Sequence, residues 1–171
     1  APITPVVKEA LSSTEALLRA QHLSGASGRQ ICTSYTELID NLLKALFLFK
    51  SEELGCEDAV ALVALGGYGR GELNPQSDID IMFLCRDQAD RQRAPEMLYQ
   101  LWDGGLDVGY SVRTVRECVE LARQDIKIRT SLIESRPIAC DDPLYGSFLK
   151  AMHSDVFYWK ASSFITAKVA E

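Results

Sequence analysis

The fold turns on one stretch, Val60-Ala61-Leu62-Val63-Ala64-Leu65-Gly66-Gly67-Tyr68-Gly69-Arg70-Gly71-Glu72-Leu73-Asn74-Pro75-Gln76-Ser77-Asp78-Ile79-Asp80-Ile81-Met82-Phe83-Leu84. Val60 to Leu65 is a short, continuously apolar run, as expected of a strand covered on both faces. A glycine-rich turn breaks it at once, and Asn74-Pro75 makes a second break. Ile79 to Leu84 is then a second strand, apolar except for Asp80. Side chains alternate faces along a strand, so Asp78 and Asp80 point the same way, with Met82 and Leu84 continuing that face. Ile79, Ile81 and Phe83 line the other. A carboxylate inside an apolar strand is costly unless it is paired or coordinates a cation. Two neighbouring carboxylates repel, and a divalent ion removes that repulsion.

The glycines before the acids fit a phosphate-bearing ligand. Gly66 and Gly67 follow a strand directly, where glycine lets a ligand approach the main chain. If a short helix begins near Tyr68, its free amides face a phosphate. The run is not a Walker A loop, since no Gly-Lys-Ser/Thr closes it, and it is a poor match to the dinucleotide Gly-x-Gly-x-x-Gly fingerprint. A third strand is expected over Leu106 to Val112, with Val108, Tyr110 and Val112 on one face and Asp107, Gly109, Ser111 and Arg113 on the other. Beside Ile79–Leu84 it makes Asp107 the third member of a carboxylate set with Asp78 and Asp80. Hard oxygen ligands without nearby His or Cys point to Mg²⁺, with Mn²⁺ as the substitute. Two such ions roughly 3.5–4 Å apart serve phosphoryl chemistry on a nucleoside triphosphate. Asp78, Asp80 and Asp107 are the candidate catalytic and metal-holding residues; Gly66, Gly67, Arg70, Ser77 and Arg113 are the candidate nucleotide contacts. For Arg70 the competing reading is an ion pair with Glu72 or another nearby acid.

Helices surround this centre. Thr4-Pro5 opens the first, with Val7, Leu11, Leu17 and Leu18 as its buried stripe. Ser24 to Gly28 reads as a loop. Ser34-Tyr35-Thr36-Glu37 reads as a capping box before a second helix carrying Leu38, Leu42, Leu43, Leu46, Phe47 and Phe49 and ending near Gly55. Ala94, Met97, Leu98, Leu101 and Trp102 repeat at helical spacing up to Gly104-Gly105. Thr114-Val115-Arg116-Glu117 is another capping box, the chain from Gln124 looks mostly helical, and Asp142-Pro143 starts a late helix with Leu144, Phe148, Leu149 and Met152. The economical arrangement is an α/β (α+β) layer with a small mixed sheet. Residues 1–30 read as an N-terminal helical segment, 31–140 as the catalytic domain, and 141–171 as a C-terminal helical segment beginning a truncated helical region.

The chain has 171 residues, 47% apolar and 25% charged, enough to bury a core without disulfides. A net charge of -6 weighs against a broad nucleic-acid surface. The five cysteines, Cys32, Cys56, Cys85, Cys118 and Cys140, have neither zinc-knuckle nor redox spacing and read as free thiols of a reducing compartment. No stretch reaches the ~18 apolar residues of a membrane span, and no secretion signal opens the chain, so a cytoplasmic location is expected. The start at Ala1 without Met reads as that of a fragment.

Gly66-Gly67-Tyr68-Gly69-Arg70-Gly71-Glu72-Leu73 followed by Ser77-Asp78-Ile79-Asp80 resembles the amino-terminal nucleotidyltransferase domain of the bacterial PII-protein uridylyltransferases. So do Leu101-Trp102-Asp103-Gly104-Gly105-Leu106-Asp107-Val108-Gly109-Tyr110-Ser111-Val112-Arg113-Thr114 and Ile133-Glu134-Ser135-Arg136. The resemblance implies a DNA-polymerase-β-like nucleotidyltransferase fold, with glycine pair and carboxylates mapping onto Gly66, Gly67, Asp78, Asp80 and Asp107. It implies UTP as donor and a tyrosine of the PII nitrogen-signalling protein as acceptor. With two histidines and no His-Asp pair, the chain is expected to lack the family's downstream uridylyl-removing and sensor domains. Related nucleotidyltransferase domains attached to CBS or cyclic-nucleotide modules share the same glycine and Ser-Asp-x-Asp region, and a non-catalytic nucleotide-sensing or protein-interaction module is the alternative of another class.

Overall fold

The computed structural model describes residues 3–55, 58–93, 96, 106–139, 142–157 and 169. In chain order these form α1 (Ile3–Leu23), α2 (Gly28–Leu54), β1 (Val60–Ala64), a single helical turn α3 (Gly66–Gly69), β2 (Ile79–Cys85), a 3-10 turn (Asp90–Gln92), β3 (Val108–Thr114), α4 (Val115–Gln124), α5 (Ile126–Ile133), β4 (Arg136–Ala139), α6 (Asp142–Met152) and a π turn (His153–Phe157). The sheet has four strands in the order β3-β2-β1-β4. β1 runs antiparallel to both β2 and β4, whereas β2 and β3 are parallel. The sheet is therefore mixed, as expected, and helices flank both faces in the nucleotidyltransferase layout that the resemblance implies.

The two central strands are continuously apolar because both of their faces are covered. On one face Val60, Leu62, Ile81 and Phe83 pack with Val7 of α1 and Ile39, Leu43 and Phe47 of α2. On the other, Ala61, Val63, Met82 and Leu84 pack with Cys118 and Ala122 of α4, Leu132 of α5, and Phe148 and Met152 of α6. The alternation inferred for Ile79–Leu84 is thus the alternation between two cores.

Several expectations need correction. The chain after Gln124 is not only helical: Arg136–Ala139 forms the edge strand β4 on β1. A four-residue segment containing Arg and Pro carries no strand periodicity, and Pro is tolerated there because the edge leaves one side of the strand unpaired. β3 begins at Val108 and continues to Thr114, so Asp107 stands just before it. The box at the start of α2 is Ser27/Gln30, where the Ser27 amide donates to Gln30 Oε1 at 2.8 Å; Ser34 lies inside the helix. Leu17, Phe49 and Leu149, placed on buried stripes from their spacing, are exposed. The box at Thr114/Glu117, the end of α2 at Gly55 and the start of α6 at Asp142 are as expected. The helix inferred from Ala94 to Trp102 with its stop at Gly104-Gly105, and the thiols Cys56 and Cys140, lie outside the described residues apart from Glu96. Among the described residues no helix is long and apolar enough to cross a membrane.

α3 sits tightly between the sheet and the end of α5. A Cβ on Gly69 would collide with the Glu134 carbonyl and come within 3.0 Å of the Ala64 carbonyl. Both obstacles are backbone and cannot swing aside. Gly69→Ala is therefore expected to lower unfolding stability by about 1–3 kcal/mol, read from the urea midpoint. Gly146→Ala on α6, where a new methyl meets nothing within 4 Å, is expected to be neutral or stabilising by up to about 1 kcal/mol.

Candidate active site

The amino-terminal end of β2 assembles the site. Ile79 aligns with Val108 and Asp80 with Gly109 across the parallel pair, and the Ile79 amide donates to the Asp107 carbonyl at 3.3 Å. Extending that register by one residue sets Asp78 beside Asp107, on the sheet face that also carries Asp80. Asp80 has room because its neighbour is glycine: a Cβ on Gly109 would stand 2.7 Å from Asp80 Oδ1. The glycine turn is tied to the same spot. The Leu65 amide donates to the Asp80 carbonyl at 3.0 Å, and the chain then turns into α3 through Gly66 at φ 55°. The Gly69 and Arg70 amides donate back to Leu65 and Gly66 at 2.9 and 3.0 Å, which closes the turn.

Two adjoining cavities border these residues. One, of about 380 Å³, is lined by Gly67, Glu72, Ser77, Asp78 and Asp80 among others. The second, of about 510 Å³, shares Ser77 and Asp78 with the first and extends along Asp107 to Leu11 and Leu18 of α1 and Tyr35 of α2. Asp78, Asp80 and Asp107 are all exposed. Partial burial, and then the Asp78 charge, hold the Asp80 carboxyl above its ordinary range. A metal bound by three carboxylates would need their oxygens to converge. Among the described residues no group of three His, Cys, Asp or Glu does so. The donor set still fits a hard cation in kind: the Asp78 charge opposes ionisation of Asp80, and none of the three forms an ion pair among the described residues.

The nucleotide-contact candidates are placed unequally. Ser77 lines both cavities, with its amide donating to the Asn74 carbonyl at 2.9 Å. The Arg70 guanidinium lies over Gly67, 3.6 Å from where a Cβ would sit, but pairs with Glu72 at 3.2 Å and Glu134 at 2.8 Å. Arg113 aligns with Leu84, four residues beyond Gly109, which is about 13 Å along the strand. There it neighbours Cys118, whose thiol burial pushes up to about 12 against the opposing pull of the Arg113 charge. The structure does not bring Arg113 to the carboxylates.

One constellation behind the turn escapes a reading of the sequence. The Tyr68 hydroxyl donates to Asp40 Oδ1 at 2.6 Å, and Arg136 grips both oxygens of Asp40 at 2.8 and 3.0 Å. The Arg136 guanidinium also lies 5.6 Å from the Tyr68 ring centre. Burial, first, and then the bond to Asp40 push the Tyr68 hydroxyl far above its ordinary range, so it stays a donor. This network fastens α3 to α2 and β4. Its members lie 28 and 96 residues from Asp40, so no local pattern announces it.

The model of the glutamate-ammonia ligase adenylyltransferase family matches residues 13–102, more than half of the chain. The chain belongs to this nucleotidyltransferase family. Curated relatives carry a related description. A bifunctional uridylyltransferase/uridylyl-removing enzyme of Pseudomonas putida (strain W619) is 40% identical over 167 residues, covering 96% of this chain and 18% of that protein. Proteins of the same description from Bradyrhizobium sp. (strain BTAi1) and Burkholderia orbicola are 34% and 39% identical, covering 100% and 94% of this chain and 19% and 18% of theirs. The chain thus spans about a fifth of the length of these relatives. A crystal structure of a toxin–antitoxin with AMP-PNP is similar over 75% of this chain and 98% of that one, at 18% identity and a TM-score of 0.46.

The raised Asp80 carboxyl gives a signed expectation. Its folded-state affinity for a proton exceeds that of the unfolded chain, so the folded state loses stability as pH rises through the carboxylate range. Asp80→Asn removes that charge. The variant is expected to melt at or above the parent temperature at neutral pH, with the difference closing as pH falls below the carboxylate range. Thermal melts across pH in metal-free buffer measure this; a variant markedly less stable at neutral pH would contradict it.

Proposed function

We infer that this chain is the transferase part of an enzyme that moves UMP from UTP to a tyrosine hydroxyl of a PII-like signalling protein and releases pyrophosphate. The observation that carries this is the pair of Asp80 at the start of β2 and Asp78 just before that strand, directly beside the glycine turn that Asp80 itself anchors. The likeness to uridylyltransferase/uridylyl-removing enzymes along nearly the whole chain supports UMP and a PII-like acceptor. The adenylyltransferase description of the matching family favours one second reading, AMP from ATP, with the same residues in the same roles.

In this reading the acceptor oxygen attacks the α-phosphorus, the bond from that phosphorus to the bridging oxygen of pyrophosphate breaks, and the phenolic proton is lost to water. Asp78, Asp80 and Asp107 would hold Mg²⁺ or Mn²⁺, which supplies charge neutralisation of the triphosphate and polarisation of the α-phosphorus when bound. The Gly66 and Gly67 backbone admits the outer phosphates closely, Ser77 stands at the junction of the two cavities, and Arg70 adds a cation at the turn. Cys32, Cys85 and Cys118 form no disulfide among the described residues, in keeping with a reducing compartment.

Incubation with Mg²⁺, labelled UTP or ATP and a purified PII-type protein, followed by intact-protein mass spectrometry, tests the reading. UMP on one tyrosine of the acceptor is the expected outcome, and AMP in its place moves the assignment to adenylyl transfer. Asp80→Ala should reduce transfer by about 10²-fold or more while the fold persists by circular dichroism. Nucleotide binding without pyrophosphate release in the parent chain would instead make it a sensing module.

A further inference from the structure

The second cavity is not needed to hold phosphates, and its lining suits a different guest. It shares Ser77 and Asp78 with the glycine-side cavity but opens away from it, toward Asp107, α1 and α2. Its walls are Leu11, Leu18, Tyr35, Ile79 and Leu106, and its charged lining is acidic: Glu15, Asp78 and Asp107, with no Lys, Arg or His among the described residues. A phosphate would meet only like charge there. A neutral, flat, apolar group with one hydroxyl would lay its ring on the apolar walls and direct its oxygen to the carboxylates. At about 510 Å³ the cavity falls within the range of ordinary ligand pockets. Leu18 is a further sign. It is 8% exposed and lines this cavity, so an apolar wall stands ready on the side of α1.

The geometry of displacement at phosphorus assigns the sides. In an in-line displacement the entering oxygen and the leaving pyrophosphate lie on opposite sides of the phosphorus. With the outer phosphates at Gly66–Gly67, the leaving group occupies the glycine-side cavity, and the entering oxygen must come from the far side of Asp78.

We propose that the cleft between α1, α2 and the start of β2 is the acceptor pocket, which receives the phenol side chain of the protein to be modified, with Leu11 and Leu18 against the ring and Asp107 at the hydroxyl. This rests on the transferase reading above and adds to it a location and a role for the amino-terminal helix. Tyr35, half-buried and kept protonated by burial, offers a further hydrogen-bond donor at the wall.

Two measurements test the pocket, one independent of turnover. N-acetyltyrosinamide is added to the chain with Mg²⁺ and a non-hydrolysable UTP analogue, and NOEs are recorded to the methyl groups of Leu11 and Leu18. NOEs from the tyrosine ring are expected; NOEs from the uracil ring protons to those methyls instead would overturn the assignment and make this the nucleoside pocket. Thr14→Trp, which fills the cavity from the half-buried middle of α1, is expected to raise KM for the PII-type acceptor at least tenfold and leave the Kd for UTP within twofold. Leu18→Ala should raise the acceptor KM several-fold with the same UTP affinity. An equal rise in both constants, or no change in either, overturns the proposal. A chain that shows the tyrosine NOEs but modifies no protein keeps the pocket and refutes the transferase reading instead.

Discussion

The parallel pairing of β2 with β3 sets Asp80 against a glycine. Every other residue of β2 belongs to one of the two cores, whereas Asp80 is exposed. Gly109 leaves the space beside it open. A methyl there would stand 2.7 Å from the carboxylate oxygen and force the Asp80 side chain to turn away. Continued one residue past Ile79 and Val108, the register that supplies Gly109 runs the main chain of Asp78 alongside that of Asp107, whose carbonyl accepts from the Ile79 amide. One pairing therefore determines the positions of three acids, and a slip of one residue would turn the whole row to the opposite face.

The glycine turn depends on the same strand. Leu65 bonds to the Asp80 carbonyl, so the main chain that carries one carboxylate also fixes where the turn begins. The other end of the turn is fixed by Tyr68, which is drawn down to Asp40 and Arg136. That ion pair is about one-third exposed on the arginine side, so its direct contribution to stability is modest. Its effect is on position: it links α2, α3 and β4, three elements that approach the site from different directions. The structure holds the backbone of the turn firmly and leaves the acidic side chains beside it exposed. This is the division of labour expected where a ligand supplies the missing interactions.

How much of this could be read from the sequence follows from the range of each interaction. The faces of Ile79–Leu84 were legible because strand parity is local and both faces of that strand are covered beyond Asp80. The Thr114/Glu117 cap was legible for the same reason, as it spans three residues. β4 was not, since four residues with Arg and Pro become a strand only when β1 offers an edge. Leu17 and Phe49 were misread because helical spacing permits a wide stripe, and only the neighbouring elements decide which edge of it is covered. Arg113 shares the parity of Asp107, but parity says nothing of distance along the strand, and Arg113 lies at its far end. The Asp40–Tyr68–Arg136 network depends wholly on tertiary structure.

The acids and the arginine above the turn show a common logic. Three exposed carboxylates border cavities whose described linings contain no cation. The cation at the glycine turn, Arg70, is meanwhile held by Glu72 and Glu134. Had Arg70 instead paired with Asp78 or Asp80, the ligand-free fold would gain an ion pair and the carboxylates would be blocked to an incoming divalent ion. Glu134 closes α5 and lies directly above Gly69, so the contact that makes Gly69 obligatory also brings in the acid that draws Arg70 aside. The close packing of α3 on α5 thus keeps the positive charge at the turn, within reach of a phosphate, and out of the carboxylate set.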